Sequence, residues 1–145
     1  MANVKISQLT AKNATLEYND RLAIADYNGS TYDSKYVTGA EIQQLAHSSV
    51  TDDTTLALNQ SYKIVEMNAA TAKTITIPLN SNIAFPNGTI IYVYQMGAGQ
   101  VTISPAVGVT LRSYNNEYKT KGQYSVITLR KHDTDSWYMW GDKTT

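Results

Sequence analysis

The sequence predicts a mainly β protein: a C-terminal antiparallel β-sandwich of the jelly-roll kind, preceded by a small N-terminal arm built from a hairpin and a helix. Three observations carry that prediction. Short runs rich in Val, Ile, Thr and Tyr recur at spacings of about 8–12 residues, with Gly, Pro, Asn or Asp between them. Residues of those types suit a pleated, half-buried surface. Hydrophobic residues make up 42% of the 145-residue chain and charged ones only 17%, so a packed core is expected and disorder throughout is not. The texture of the chain divides it into a module over 1–47, a linker over 48–57 and the antiparallel β domain over 58–145.

In the first module, Val4, Ile6 and Leu9 are spaced among polar residues in strand fashion. Arg21 to Ala25 and Tyr32 to Val37 flank a turn containing Asn28-Gly29, which reaches positive φ at little cost, and together they read as a hairpin. Thr38-Gly39-Ala40-Glu41 fits a capping box, with Ile42, Leu45 and Ala46 following on one face of a short helix. The linker Ser48 to Thr55 is small, polar and acidic.

In the β domain the expected strands are Tyr62 to Asn68, Thr74 to Ile77, Thr89 to Gln95, Gln100 to Ser104, Val109 to Arg112, Tyr124 to Lys131 and Ser136 to Trp140. Pro78 lacks an N–H for the ladder and marks a strand end. Gly97-Ala98-Gly99 reads as the loop of a hairpin joining the third and fourth runs. It does not read as a phosphate loop, because it precedes a strand and no Gly-Lys-Ser/Thr follows. No repeat of about 20–50 residues is visible, which excludes solenoids and propellers at this level of reading.

Chemistry is sparse. The chain has no cysteine, which removes disulfides, thiolate metal sites and cysteine nucleophiles together. His47 and His132 sit near element ends, and no metal or other cofactor is expected. No serine lies in a Gly-x-Ser-x-Gly elbow. Asp52-Asp53 and Asp133-Thr134-Asp135 read as turn residues that bond their own backbone, and only a cleft between Asp133 and Asp135 would revive a hydrolase. The expectation is therefore a non-enzyme. Net charge is zero at pH 7, against nucleic-acid binding. No apolar run approaches the roughly 20 residues of a membrane span, and the opening residues do not read as a secretory leader.

Tyrosine is the conspicuous residue, at 11 positions. Its broad ring and polar tip suit subunit interfaces and sugar platforms alike. Tyr92, Tyr94, Tyr118 and Tyr124 are the expected interface or ligand platform. Trp137 and Trp140 are expected to share one face and close the core. Val4, Ile6, Leu9, Leu22, Ile24 and Val37 have no evident core of their own and are expected to dock on a partner.

Two stretches resemble known proteins. Lys5-Ile6-Ser7 with Leu9, Asp20 to Ala25, Asn28-Gly29, Lys35-Tyr36-Val37 and Thr38 to Leu45 resemble the N-terminal modules by which tailed-phage fibre and appendage proteins attach to the particle. Pro78, Phe85-Pro86-Asn87-Gly88-Thr89, Gln95 to Gln100, Val107 to Leu111, Gly122-Gln123-Tyr124 and Trp137 with Gly141-Asp142 resemble the β domain found at the C-terminal end of phage fibre and head-decoration proteins. The resemblance implies a virion protein made in the host cytoplasm and carried on the particle surface. It implies an N-terminal part anchored to the major capsid protein or another appendage protein, and a β domain that trimerises. The shortness of the chain favours a head fibre or capsid-decoration protein over a long tail fibre. The alternative is a fibre tip or carbohydrate-binding module that reads a host glycan.

Overall fold

The computed structural model of the protein describes residues 21–27, 32–38 and 45–145, and the chain divides into two units, 1–44 and 45–145. In the first, β1 (Arg21–Tyr27) and β2 (Tyr32–Thr38) pair antiparallel, with Tyr27 opposite Tyr32 and Arg21 opposite Thr38. That is the hairpin expected of the two runs. The helix expected from Thr38 through Ala46 lies mostly on 39–44, outside the described residues, as do Val4, Ile6 and Leu9; its two ends are not helical, Thr38 closing β2 and Leu45-Ala46 leading without a helix into a strand at His47.

The second unit is mainly β, in two mixed sheets. Its strands are β3 (His47–Val50), β4 (Thr54–Thr55), β5 (Ile64–Met67), β6 (Lys73–Ile77), β7 (Ile90–Gln95), β8 (Val101–Pro105), β9 (Thr110–Ser113), β10 (Lys119–Thr120), β11 (Val126–Asp133), β12 (Ser136–Gly141) and β13 (Lys143–Thr144). A six-stranded sheet runs in the order β3-β5-β7-β11-β12-β9, and a five-stranded sheet in the order β13-β10-β8-β6-β4.

From β3 to β8 the chain alternates between the sheets at every strand, so it returns to each sheet in the same direction. The ladders β3–β5, β5–β7, β4–β6 and β6–β8 are all parallel, as is β12–β9. The antiparallel pairs are β7–β11, β11–β12, β8–β10 and β10–β13. The expectation of antiparallel sheets is therefore corrected: the unit begins as a three-turn parallel winding and closes with antiparallel strands. The parallel winding shows no regular repeat along the chain. Along the chain His47 to Ile64 is a much shorter step than Ile64 to Tyr92, although the three residues lie side by side. Unequal loops hide the period.

Gly97-Ala98-Gly99 is the clearest reversal. It does not close a hairpin, because β7 and β8 lie in different sheets. It turns a corner between them and rests on the corner of the previous winding, Ala69 to Thr71. Gly97 N–H donates to the Met67 carbonyl at 3.1 Å and Gly99 N–H to the Ala69 carbonyl at 2.9 Å. A Cβ on Gly97 would lie 2.2 Å from the Ala69 oxygen, and one on Gly99 2.0 Å from the Thr71 oxygen. The glycines serve close backbone approach, and neither needs a left-handed φ.

Residues 48–57, expected to be a linker, belong to this unit: they supply most of β3, all of β4, and the fully buried Leu56. The acidic pair explains why so polar a stretch is held. Asp52 Oδ1 accepts from Lys73 Nζ at 2.6 Å, and Asp53 Oδ1 from the Thr74 N–H at 2.6 Å, which pins the turn to the start of β6. The Lys73 ammonium, with the Asp53 N–H, holds the Asp52 carboxyl below its ordinary range, and the same hydrogen bond raises Lys73.

The inner faces of both sheets share one core. Val65 and Met67 of β5, Ile91 and Val93 of β7, and Ile127 and Leu129 of β11 meet Ile75 and Ile77 of β6 and Val101 and Ile103 of β8. Each such side chain contributes about 1.5–3 kcal/mol by leaving water. Strict alternation on β7 sends Ile91, Val93 and Gln95 inward and Ile90, Tyr92 and Tyr94 outward. Buried Gln95 is satisfied: its Nε2 donates to the Gly97 carbonyl at 3.1 Å, and its Oε1 accepts from the Thr120 hydroxyl. Thr120 Oγ1 in turn accepts the Val101 N–H at 2.9 Å. This chain of polar groups joins the end of β7 in one sheet to β8 and β10 of the other.

Candidate functional site

The outer face of the six-stranded sheet carries the candidate site. Register defines its rows. His47, Ile64, Tyr92, Thr128 and Trp140 are successive neighbours across five strands. The next row is Ser49, Glu66, Tyr94 and Val126, and a third holds Ile90, Arg130, Tyr138 and Arg112. Between the first two rows lies a groove of about 330 Å³ lined by Leu45, Ile64, Glu66, Tyr92, Tyr94 and Val126. Five of the six are apolar or aromatic.

Polar groups rim this centre. On one side Glu66 Oε2 sits 2.9 Å from His47 Nδ1. On the other, exposed Arg130 and Arg112 project from β11 and β9, with Arg112 Nη1 donating to Ser136 Oγ at 2.6 Å. Tyr124 is 65% exposed and stacks on Tyr94, with ring centroids 6.5 Å apart and planes 30° apart. Its φ of 69° places it in a left-handed turn that brings its ring back over β7.

Of the four tyrosines singled out from sequence, the structure brings together Tyr92, Tyr94 and Tyr124. Tyr118 is elsewhere: its carbonyl accepts from Ile103 of the five-stranded sheet, and its side chain packs partly buried against the core. The Tyr118 hydroxyl lies 3.3 Å from both the Leu111 carbonyl and Asn116 Oδ1, which gives it a structural position. The two tryptophans separate too. Trp137 is 1% exposed, edge-on to Phe85 at 5.4 Å, whereas Trp140 is 45% exposed on the outer face. Residues three apart on a strand point to opposite sides, so the expectation of one shared face is corrected by the period of two. In the hairpin unit, Leu22 and Val37 are cross-strand partners and Ile24 lies opposite Lys35.

Leu45, Ile64, Glu66, Val126 and Trp140 were not expected at the site. The alternation of Ile64 with Val65 did signal an outward Ile64. Its neighbourhood with Tyr92 depends on the parallel β5–β7 pairing, which no local pattern announces.

The acidic turns have structural roles. Asp133 Oδ1 accepts the Thr134 N–H at 2.7 Å, and Asp135 Oδ1 accepts the Asn80 N–H at 2.6 Å. His132 packs against Tyr138 with centroids 4.7 Å apart. Among the described residues no group of three or more His, Cys, Asp or Glu is placed to hold a metal, and no helix is long and apolar enough to cross a membrane. No family model, curated protein or solved structure matches this chain.

Proposed function

We propose that the protein is a non-enzymatic structural component of a tailed-phage particle: a capsid-attached head fibre or decoration protein that docks through its N-terminal arm and self-associates as a trimer through its β unit. The sequence resemblance supplies the particle, with the major capsid protein or another appendage protein as docking partner. The self-association rests on one observation, the apolar and aromatic outer face of the six-stranded sheet. That face carries Ile64, Tyr92, Tyr94 and Val126 at its centre, an acid at one margin and two arginines at the other. A face with opposite charges at opposite margins is complementary to another copy of itself: the Glu66 margin of one copy can meet the Arg112 and Arg130 margin of the next. In this reading the two sheets act as a sandwich, with one outer face turned to its neighbours.

Light scattering on the full chain tests it. A mass near three times the 16.0 kDa of one chain is expected, falling to one chain when Tyr92 and Tyr94 are both changed to Ser. A wild-type chain that stays at 16.0 kDa at tens of micromolar, the range of ordinary interfaces, overturns self-association. Loss of particle incorporation on deleting residues 1–44 tests the docking half separately.

The Tyr94–Tyr124 stack beside Glu66 favours a second reading, a platform for a host glycan, since sugar rings lie on aromatic faces while a carboxylate accepts from their hydroxyls. Glycan-array binding lost in Tyr124→Ala separates it from decoration alone.

A further inference from the structure

The groove on the outer face sets one carboxylate among walls that are otherwise apolar or aromatic. Glu66 is the one acid in its lining, beside Leu45, Ile64, Tyr92, Tyr94 and Val126. Its Oε2 sits 2.9 Å from His47 Nδ1, and its Oε1 makes no hydrogen bond among the described residues. The Glu66 side chain is only 22% exposed, whereas that of His47, at the margin, is 67% exposed. Register puts Tyr94 directly between Glu66 on β5 and Val126 on β11, and Tyr92 directly beside Ile64. Tyr124 stacks on Tyr94 and steadies its ring. The nearest row of arginines, Arg130 and Arg112, lies two rows from Glu66. That is about 13 Å along the strands, beyond a Debye length of about 8 Å at physiological salt.

We propose that this groove seats a quaternary ammonium headgroup of the choline type, carried on a surface glycan. The inference rests on the reading of the groove as a glycan platform and names the group the platform holds. A tyrosine ring presents a negative face, and a cation within about 6 Å of it is attracted, the more so where water is displaced. Glu66 adds a full negative charge at the same place, so the groove is complementary to a cation and not to a neutral ring alone.

The apolar walls decide which cation. A primary ammonium brings three N–H donors, and the groove offers one unengaged carboxylate oxygen and the tips of two tyrosines in exchange for its hydration. A quaternary nitrogen has no N–H to satisfy. Its methyl groups can lie against Leu45, Ile64 and Val126 while its charge faces Tyr92, Tyr94 and Glu66. The volume of about 330 Å³ is at the small end of ligand sites, which run from about 300 to 1,000 Å³, and it suits one compact headgroup better than a run of sugar rings.

Titration of the full chain with choline, followed by calorimetry and by the tyrosine ring signals in NMR spectra, tests it. The control ligand is the uncharged carbon analogue, in which a tert-butyl group replaces the trimethylammonium. Choline is expected to bind saturably and about tenfold or more tighter than the analogue, since the two share shape and differ in charge. Glu66→Gln should weaken choline about tenfold and leave the analogue unchanged. Tyr94→Leu, which keeps apolar bulk and removes the ring, should weaken choline as well. All three side chains face outward, so both variants should keep the wild-type circular dichroism spectrum, and the two-ligand comparison on wild type stands without them. Absence of saturable choline binding up to about 50 mM overturns the proposal. So does equal affinity for the two ligands, which would leave an apolar groove only. Glycan-array binding without a response to choline keeps the platform and overturns this inference, while choline binding by a chain that binds no glycan keeps the headgroup site and overturns the glycan carrier. Light scattering on the same samples reads self-association separately.

Discussion

Replacing Gly97 or Gly99 by Ala tests the stacked winding more sharply than any core truncation. A methyl at Gly97 would sit 2.2 Å from the Ala69 carbonyl oxygen, and one at Gly99 2.0 Å from that of Thr71. Both obstacles are backbone, so no side chain can swing aside. Relief requires the two corners to separate, and separation stretches the Gly97–Met67 and Gly99–Ala69 hydrogen bonds. Overpacking costs about 1–3 kcal/mol, and a weakened buried hydrogen bond adds about 1 kcal/mol, which together make about 3 kcal/mol for either change. At about 4–8 °C per kcal/mol for a domain of roughly 100 residues, Tm should fall by about 12–24 °C. Gly122 is the control: nothing lies within 4 Å of its Cβ position and its φ is not left-handed, so Gly122→Ala should be neutral or raise stability by a few tenths of a kcal/mol. Thermal unfolding followed by circular dichroism reads all three variants. If Gly97→Ala and Gly99→Ala melt within about 2 °C of wild type, the corners are not stacked and the parallel winding is wrong.

Three further outcomes follow from the geometry. Trp137→Ala should cost about 3–5 kcal/mol in urea unfolding and Trp140→Ala about 1 kcal/mol or less, because only the first empties the core; equal costs would place both rings on one face. Thr120→Val strands Gln95 Oε1 and the Val101 N–H together, and should destabilise by about 2–4 kcal/mol despite preserving shape; a neutral result would mean the polar seam is not closed as described. The Asp52–Lys73 tie has a definite pH sign: a carboxyl held below its ordinary value stabilises the fold above that value and loses its effect as pH falls through the lowered one. The Tm difference between wild type and Asp52→Asn should therefore favour wild type at pH 7, begin to shrink as pH falls through the ordinary aspartate value of 3.8, and vanish only once pH is below the lowered value.

How much of this was legible depended on whether a signal was local. The strands β5 to β9, β11 and β12 were visible because apolar or aromatic residues alternate with others along them. Pro78 correctly ended β6, one residue after Ile77. The strands β4, β10 and β13 were not visible, since Thr54-Thr55, Lys119-Thr120 and Lys143-Thr144 are two-residue polar pairs whose membership is decided by what lies beside them. The same limit applied to the sheets. Gly-Ala-Gly between two apolar runs looks like a hairpin loop locally, and only the presence of the Ala69 corner beneath it makes it a crossing. At the candidate site, the outward phase of Tyr92 and Tyr94 could be read from alternation. Tyr124 and Tyr118 carry no such phase, and the structure sends one to the groove and the other to the core margin.

The winding also bears on how the chain reaches its native state. Within 45–145, β11 and β12 are the one pair joined by a tight turn, with Asp133 opposite Ser136. Every other ladder joins segments separated by a loop and usually by a strand of the opposite sheet. Such pairings must meet the entropy of loop closure before any ladder bond rewards it, and chains dominated by them fold in about milliseconds to seconds, where helical bundles take microseconds. The β11–β12 hairpin is thus the natural seed. The parallel turns β3 to β8 can acquire their order only by condensing onto it through β7, so a newly made chain holds Val65, Ile91 and Ile103 uncovered until residues near its far end have arrived. Slow maturation, and a need to keep unfinished chains apart, are written into the strand order.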